Sequence, residues 1–245
     1  MARKKVSIDE SGESRKTEKK GTRKKKFESE KRYNMNFVPK TKNQQIAWNM
    51  FKEKSIVVLS GSAGCGKSIL SCAHAMDQLS KGNYERLIIT RNAIGCGKSI
   101  GFFPGEIEDK LASWCDQVLS FCKQFVGTEV VENWMRGPNP KIILEPMEVI
   151  RGRSYENSII IVEEAQQCSI QDLKCLTTRI GKDSLMILNG DPVQKDIKDS
   201  GLETFCKLVK DYHIDDIGVV KFTVDDILRH DVVRQLVIAF QKEGL

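Results

Sequence analysis

The sequence predicts an α/β fold in which a largely parallel sheet is flanked by helices. Two observations carry this. Six short apolar runs, each of strand length, alternate with stretches whose apolar residues recur at helical spacing. The glycine-rich and polar segments fall at the carboxyl ends of those runs, where open sheets of this class place their ligands.

The first run, residues 55–60, leads into Ser-Gly-Ser-Ala-Gly-Cys-Gly-Lys-Ser-Ile-Leu at residues 60–70. Gly61, Gly66, Lys67 and Ser68 satisfy G-x-x-x-x-G-K-[ST], the phosphate-binding P-loop. Residues 67–80 contain neither Pro nor Gly and read as a helix, with Ile69, Leu70, Ala73, Met76 and Leu79 toward the sheet. Strand, turn and helix are the context this motif requires. Glycines let the loop wrap inward so that successive N–H groups converge, and the helix N-terminus adds positive potential. The expected nucleotide-binding set is Gly61, Ser62, Ala63, Gly64, Cys65, Gly66, Lys67, Ser68 and Ile69. Lys67 is placed to reach the β- and γ-phosphates and Ser68 to ligate Mg²⁺.

At 245 residues and 40% hydrophobic content, the chain suits one domain plus a tail. Residues 1–32 hold 13 Lys/Arg and 6 Asp/Glu, whereas the remainder holds 26 basic and 27 acidic residues. The basic excess therefore lies in the tail. Residues 1–36 are expected to be a basic, disordered segment, and residues 37–245 the folded domain. A nucleic-acid-binding arm and a solubilising tail are both consistent with that charge. No apolar stretch approaches the ~20 residues needed to span a bilayer, and the start lacks a secretory signal, so the expected location is cytoplasmic with no membrane partner. Eight cysteines with no C-x-x-C pair are expected to be reduced core thiols, with no zinc site. Cys115 with Cys122, and Cys168 with Cys175, have the spacing of residues on one helix face.

Ahead of the P-loop strand, residues 45–54 carry Ile46, Trp48 and Phe51 at helical spacing. Thr41 and Gln44 have capping-box spacing, which is the structural role open to Gln44; the functional one is pairing of its amide with the adenine edge. The position just upstream of the P-loop strand favours the functional role. A second strand, residues 86–91, runs into a segment that resembles a P-loop but has Asn92 where the first glycine should stand. Residues 95–105 read as a mobile loop, from which Lys98, with Thr90 and Arg91, would contact a nucleic-acid backbone. Helices at 107–125 and 130–136, a third strand at 141–145 and the loop bearing Arg151 and Arg153 follow.

The fourth strand, residues 158–164, is apolar and ends in Glu163 and Glu164. That is what a Mg²⁺–nucleotide site needs: one acid, Glu163, on the hydrated metal and the next, Glu164, polarising the attacking water. Ser169 and Asp172 cap a helix at 170–179. The fifth strand, residues 184–191, ends in a polar cluster from which Asp191 and Gln194 can sense the γ-phosphate. A helix at 202–210, a strand at 218–222 and a helix at 225–242 close the chain.

Together these segments resemble the PhoH family of P-loop ATPases, from about Pro39 to Phe240. Pro-Lys-Thr-Lys-Asn-Gln at 39–44, the P-loop, Ile89-Thr-Arg91, Gly101-Phe-Phe-Pro-Gly105, Arg151-Gly-Arg153, Glu164-Ala-Gln166, Thr178-Arg-Ile-Gly181, Gly190-Asp191 with Gln194, and Arg229-His230 look like the family's blocks in the family's order. The resemblance implies a RecA-like core related to helicase motors, ATP as the nucleotide, and ring-shaped homo-oligomers, often hexamers. Two positions depart from the family: Glu163 stands where Asp is usual, and Asp231 where Pro is common. The longer acid displaces its carboxylate by about one C–C bond, so weaker Mg²⁺ coupling is expected. The short form and basic tail look like those of phage-encoded members.

The function expected is Mg²⁺-dependent ATP hydrolysis coupled to RNA or DNA, with an ATP-gated nucleic-acid-binding switch as the rival and a small-molecule phosphotransferase as the weaker third. A motor closes its ATP site with an arginine from a second RecA-like domain, and only one such domain is present here. The arginine is therefore expected in trans, from Arg151, Arg153 or Arg229.

Overall fold

The inner strands are apolar through their middle positions, whichever face those positions point to, and a sheet built from them must be covered on both faces. The computed structural model describes residues 36–92, 107–150, 152–192 and 200–243, without the side chains of residues 107–114 and Glu148. Six strands form one parallel sheet: β1 (Ile56–Ser60), β2 (Arg86–Arg91), β3 (Ile142–Leu144), β4 (Ser158–Glu163), β5 (Leu185–Gly190) and β6 (Ile217–Lys221). Their order is β3-β2-β4-β5-β1-β6. The helices are α1 (Lys42–Glu53), α2 (Lys67–Lys81), α3 (Ile107–Val126), α4 (Thr128–Met135), α5 (Met147–Ile150), α6 (Ile170–Thr177), α7 (Gly201–Asp211) and α8 (Asp231–Glu243).

Alternation along each strand makes two cores. Val57, Leu59, Leu87, Ile89, Ile159, Ile161 and Ile187 pack with α1, α2, α3 and α4 on one face. Their neighbours Ile56, Val58, Ile88, Ile160, Val162, Met186 and Leu188 pack with α5, α6 and α7 on the other. At roughly 1.5–3 kcal/mol for each large side chain fully buried, these two layers are the main favourable term holding the sheet beneath the site.

The strand order positions the chemistry. β1 lies beside β5, with Ser60 level with Gly190, and β4 lies on the other side of β5, with Val162 level with Leu188. The carboxyl ends of β1, β4 and β5 are thus side by side, and they carry the P-loop, the Glu163–Glu164 pair and Asp191. Local sequence sets several boundaries. Thr41 caps α1 through its hydroxyl and the Gln44 N–H, and Ser169 with Asp172 forms the expected capping box of α6. Gly82 ends α2 in the left-handed conformation, its N–H returned to the Gln78 and Leu79 carbonyls.

Three expectations are corrected. The last helix does not begin at residue 225. A 3-10 turn, Val224–Asp226, is closed by its own capping box, and α8 starts only at Asp231. The reason is competition for backbone groups: the Leu228 N–H donates to the Gly64 carbonyl at 3.1 Å instead of to a helical partner. The strand expected at 141–145 is shortened to three residues, and α5 follows where the sequence suggested no element. Cys168 and Cys175 do not share a helix face: Cys168 precedes α6 and is buried, whereas Cys175 is half-buried. Cys65, Cys72, Cys115 and Cys122 are buried free thiols; Cys96 lies outside the described residues.

Candidate active site

The P-loop closes over its own lysine. Lys67 Nζ donates to the Gly61 carbonyl at 2.6 Å and the Ser62 carbonyl at 3.0 Å. Burial lowers the Lys67 pKa, against the opposing pull of Cys65, Asp191, Glu163 and Glu164. Gly66 starts α2 at φ 80°, and a Cβ there would meet Gln44 Nε2 at 2.8 Å; both conformation and space require glycine.

One residue later, Ser68 Oγ donates to Glu163 Oε2 at 3.0 Å. The other oxygen, Glu163 Oε1, accepts from Asn189 Nδ2 at 2.9 Å, and Asn189 Oδ1 accepts from Ser71 Oγ at 3.1 Å. This chain of bonds follows from register: Val162 of β4 is level with Leu188 of β5, so the residues after them, Glu163 and Asn189, are neighbours. Glu163 is buried, and that burial raises its pKa, while the Asn189 and Ser68 bonds pull it down. Glu164, half-buried, follows in the left-handed region at φ 53° and accepts from Gln166 Nε2 at 2.6 Å. Lys67, Ser68, Glu163, Glu164, Asn189 and Asp191 all line one cavity of about 340 Å³, together with Ala63, Gly64, Gly66 and Ile69. A larger groove, about 1030 Å³, runs along α7 and β6 and touches Gly61, Ser62 and Asp191, but contains neither Lys67 nor the acid pair. The chemistry belongs to the smaller one.

The residues singled out from sequence fare differently. Cys65 is buried behind the loop, its thiol donating to the Thr223 carbonyl, and burial raises its pKa to about 11. Gln44 lines the cavity but is 1% exposed, and its amide is turned onto the protein: Nε2 donates to the Cys65 carbonyl at 3.0 Å, and Oε1 accepts from the Lys40 N–H at 2.8 Å. It braces the P-loop, so reading of an adenine edge by Gln44 would need these bonds exchanged. Arg229 lines the cavity of its own chain, with its Cδ 3.1 Å from where a Gly64 Cβ would stand. Arg229 thus stands beside the P-loop of its own chain. Arg153 is not brought to the cavity; it pairs with Glu145 at 2.5 Å, and Glu145 also accepts from the Tyr155 hydroxyl. Burial raises the Glu145 pKa and Arg153 lowers it. Arg151, Gln194 and Lys98 lie outside the described residues.

Sequence reasoning missed the supports. Asn189 and Gln166 sit inside motifs whose neighbours were singled out, so their polarity next to a strand tip was the available signal. The strap formed by Asn43 to Asp226 (2.7 Å) and Leu228 to Gly64 had none, because it joins segments far apart in the chain.

The model of the family described as PhoH-like protein matches residues 36–241. The chain belongs to this family. Protein PhoH of Escherichia coli K12 is 28% identical over 190 residues, covering 77% of this chain and 54% of that protein. A PhoH-like protein of Bacillus subtilis is 30% identical over 209 residues, covering 84% of this chain and 64% of its own length. This PhoH-like chain thus spans between about half and two thirds of those relatives. Among solved structures, the large terminase of a thermophilic bacteriophage in complex with ADP superposes with a TM-score of 0.51 at 14% identity, over 80% of this chain and 49% of that one. At that identity the likeness concerns fold, and the fold is that of the P-loop ATPases. No helix of the described residues is long and apolar enough to cross a membrane.

Proposed function

We propose that this PhoH-like chain hydrolyses ATP with Mg²⁺ and couples the reaction to binding or remodelling of RNA or DNA. The observation that carries the reading is one cavity in which a P-loop lysine, a Ser68–Glu163 pair 3.0 Å apart and a second carboxylate, Glu164, converge. The donor set fits the cation: a hydroxyl and a carboxylate are hard oxygen ligands, and a buried acid with a raised pKa gains most from a bound positive charge. Ser68 and Glu163 would hold Mg²⁺ there, and the cation would supply positive charge against the charge that develops during phosphoryl transfer.

The chain's own groups do the rest. Lys67 exchanges its bonds to Gly61 and Ser62 for phosphate oxygens. Glu164 accepts the proton of the attacking water. Arg229, in cis, supplies a second cation at the phosphates, and Asp191 with Gln194 senses the γ-phosphate from the β5 tip. Self-association into a homo-oligomeric ring, six-membered as the family resemblance implies, is supported by a stripe that begins just before α8 and continues along it: Leu228, Val232, Leu236 and Phe240 are each about half exposed at four-residue spacing. The basic segment 1–36, with Arg91 and Lys98, would meet the nucleic-acid backbone in the cytoplasm, whereas Thr90, expected from sequence to join them, is fully buried in β2 and cannot.

Steady-state phosphate release with and without RNA and DNA oligomers tests this, using the full chain and a chain lacking residues 1–36. Release stimulated several-fold by a nucleic acid is expected, with a shallower log–log loss of affinity with salt in the truncated chain. Hydrolysis indifferent to both nucleic acids would favour an ATP-gated binding switch.

A further inference from the structure

Behind Glu164 the chain doubles back. The 3-10 turn Ala165–Gln167 is locked by the Gln167 N–H on the Glu164 carbonyl (2.8 Å) and the Cys168 N–H on the Ala165 carbonyl (3.1 Å). It returns the Gln166 carboxamide beneath the carboxylate, where it is 1% exposed. Its Nε2 donates to Glu164 Oε2 at 2.6 Å, and its Oε1 accepts from the Asp191 N–H at 2.9 Å. The orientation of this amide is decided by chemistry: a flip would set an NH₂ against a backbone N–H and an oxygen against a carboxylate. The space around it is closed as well. A Cβ on Gly190 would lie 3.3 Å from the Gln166 Oε1, 3.2 Å from the Gln166 backbone nitrogen and 2.4 Å from Leu202 Cδ2. Two hydrogen bonds therefore run from the carboxylate at the end of β4 to the backbone at the end of β5.

We propose that Gln166 is a positioning residue for hydrolysis, fixing the Glu164 carboxylate and tying it to the tip of β5. With Oε2 engaged, Oε1 is the oxygen left to accept the water's proton. Because the second bond is to the Asp191 backbone, a shift of the β5 tip against the γ-phosphate moves the base with it. A buried neutral amide suits this role, since it offers a donor and an acceptor without adding charge beside Glu163 and Glu164. The inference rests on Glu164 being the base in the proposed ATPase reaction.

Gln166→Met and Gln166→Glu in the full chain, in the wild-type and Glu164→Gln backgrounds, provide the test. Met keeps the buried volume and removes both bonds; Glu keeps the acceptor for the Asp191 N–H but turns an oxygen on Glu164. Both variants should lose about 10- to 100-fold in kcat while KM and the Kd for a fluorescent ATP analogue stay within about threefold. In the Glu164→Gln background, single-turnover hydrolysis should show no further loss from Gln166→Met, because the residue acts through Glu164. If Gln166→Met retains wild-type kcat, or if its loss multiplies with that of Glu164→Gln, Gln166 is a packing residue and the proposal is overturned. If Glu164→Gln alone hydrolyses ATP at near wild-type rate, the base assignment fails first and the positioning role falls with it.

Discussion

Glu163 and Glu164 are adjacent in the chain and occupy opposite environments. Glu163 is buried between Ser68 and Asn189, with a raised pKa caused by desolvation; Glu164 is half-buried at the cavity wall with Gln166 behind it. Two carboxylates in such different surroundings suit the division of metal binding and proton transfer proposed for them. The unusual length of Glu163 is used to span both partners. Glu163→Asp draws the carboxylate back by about one C–C bond and makes room for the water layer that Mg²⁺ retains. It should lower the Mg²⁺ concentration for half-maximal hydrolysis and leave kcat within about threefold. A large fall in kcat in the same titration would mean that the site depends on the direct Ser68 and Asn189 bonds. At this scale the motif residues were legible because a P-loop and an acid pair each lie within one short segment. The bonds of Asn189 and Gln166 and the Leu228–Gly64 contact were not: Asn189–Glu163 depends on the register of β4 against β5, and Gln166–Asp191 and Leu228–Gly64 join segments far apart in the chain, which no local pattern encodes.

Helix α2 carries the P-loop at one end and His74, buried, on the face packed against α1. That ring lies 5.4 Å from the Trp48 ring and 5.0 Å from the Phe51 ring of α1, and its Nδ1 has no hydrogen-bond partner among the described residues. Burial pushes the His74 pKa down to about 4 from 6.5, with Lys52 and Lys81 adding to the shift and Asp77 opposing it. The ring is thus neutral in the folded chain, while the unfolded chain takes up a proton near pH 6.5. The stability from neutral His74 is present above pH 6.5 and is lost as pH falls through the window toward 4, by about 2 kcal/mol at pH 5. Urea unfolding at pH 7.5 and pH 5 should show that loss in the wild type and about 2 kcal/mol less of it in His74→Phe. Equal losses in the two proteins would show that His74 titrates normally. The elements themselves were largely legible from periodicity, since each strand is an apolar run and α2 has an unbroken amphipathic pattern. The break before α8 was not: residues 225–242 have good helical spacing, and the capped turn Val224–Asp226 with the capture of the Leu228 N–H by the P-loop interrupts it.

Over the whole molecule, the sheet order makes the site. A P-loop at residues 61–68, an acid pair at 163–164 and a polar tip at 189–191 come together because β5 lies between β1 and β4. The class of sheet was legible from alternating strands and helices, but the order was not, since parallel pairing is set by which faces bury best together. Arg229 lines the same cavity as Lys67, Ser68, Glu163 and Glu164, so one chain supplies every residue the proposed reaction assigns to metal, base and phosphate. The central claim, that this one cavity hydrolyses ATP with Glu164 as base, is tested most directly by phosphate release from Glu164→Gln. The measurement is made alongside ATP binding by the same protein and by Lys67→Ala. The amide is isosteric with the carboxylate but cannot take the water's proton. Glu164→Gln should bind ATP within about threefold of wild type while its phosphate release falls by about 100-fold or more, and Lys67→Ala should weaken binding as well. Phosphate release by Glu164→Gln at near wild-type rate would contradict the claim.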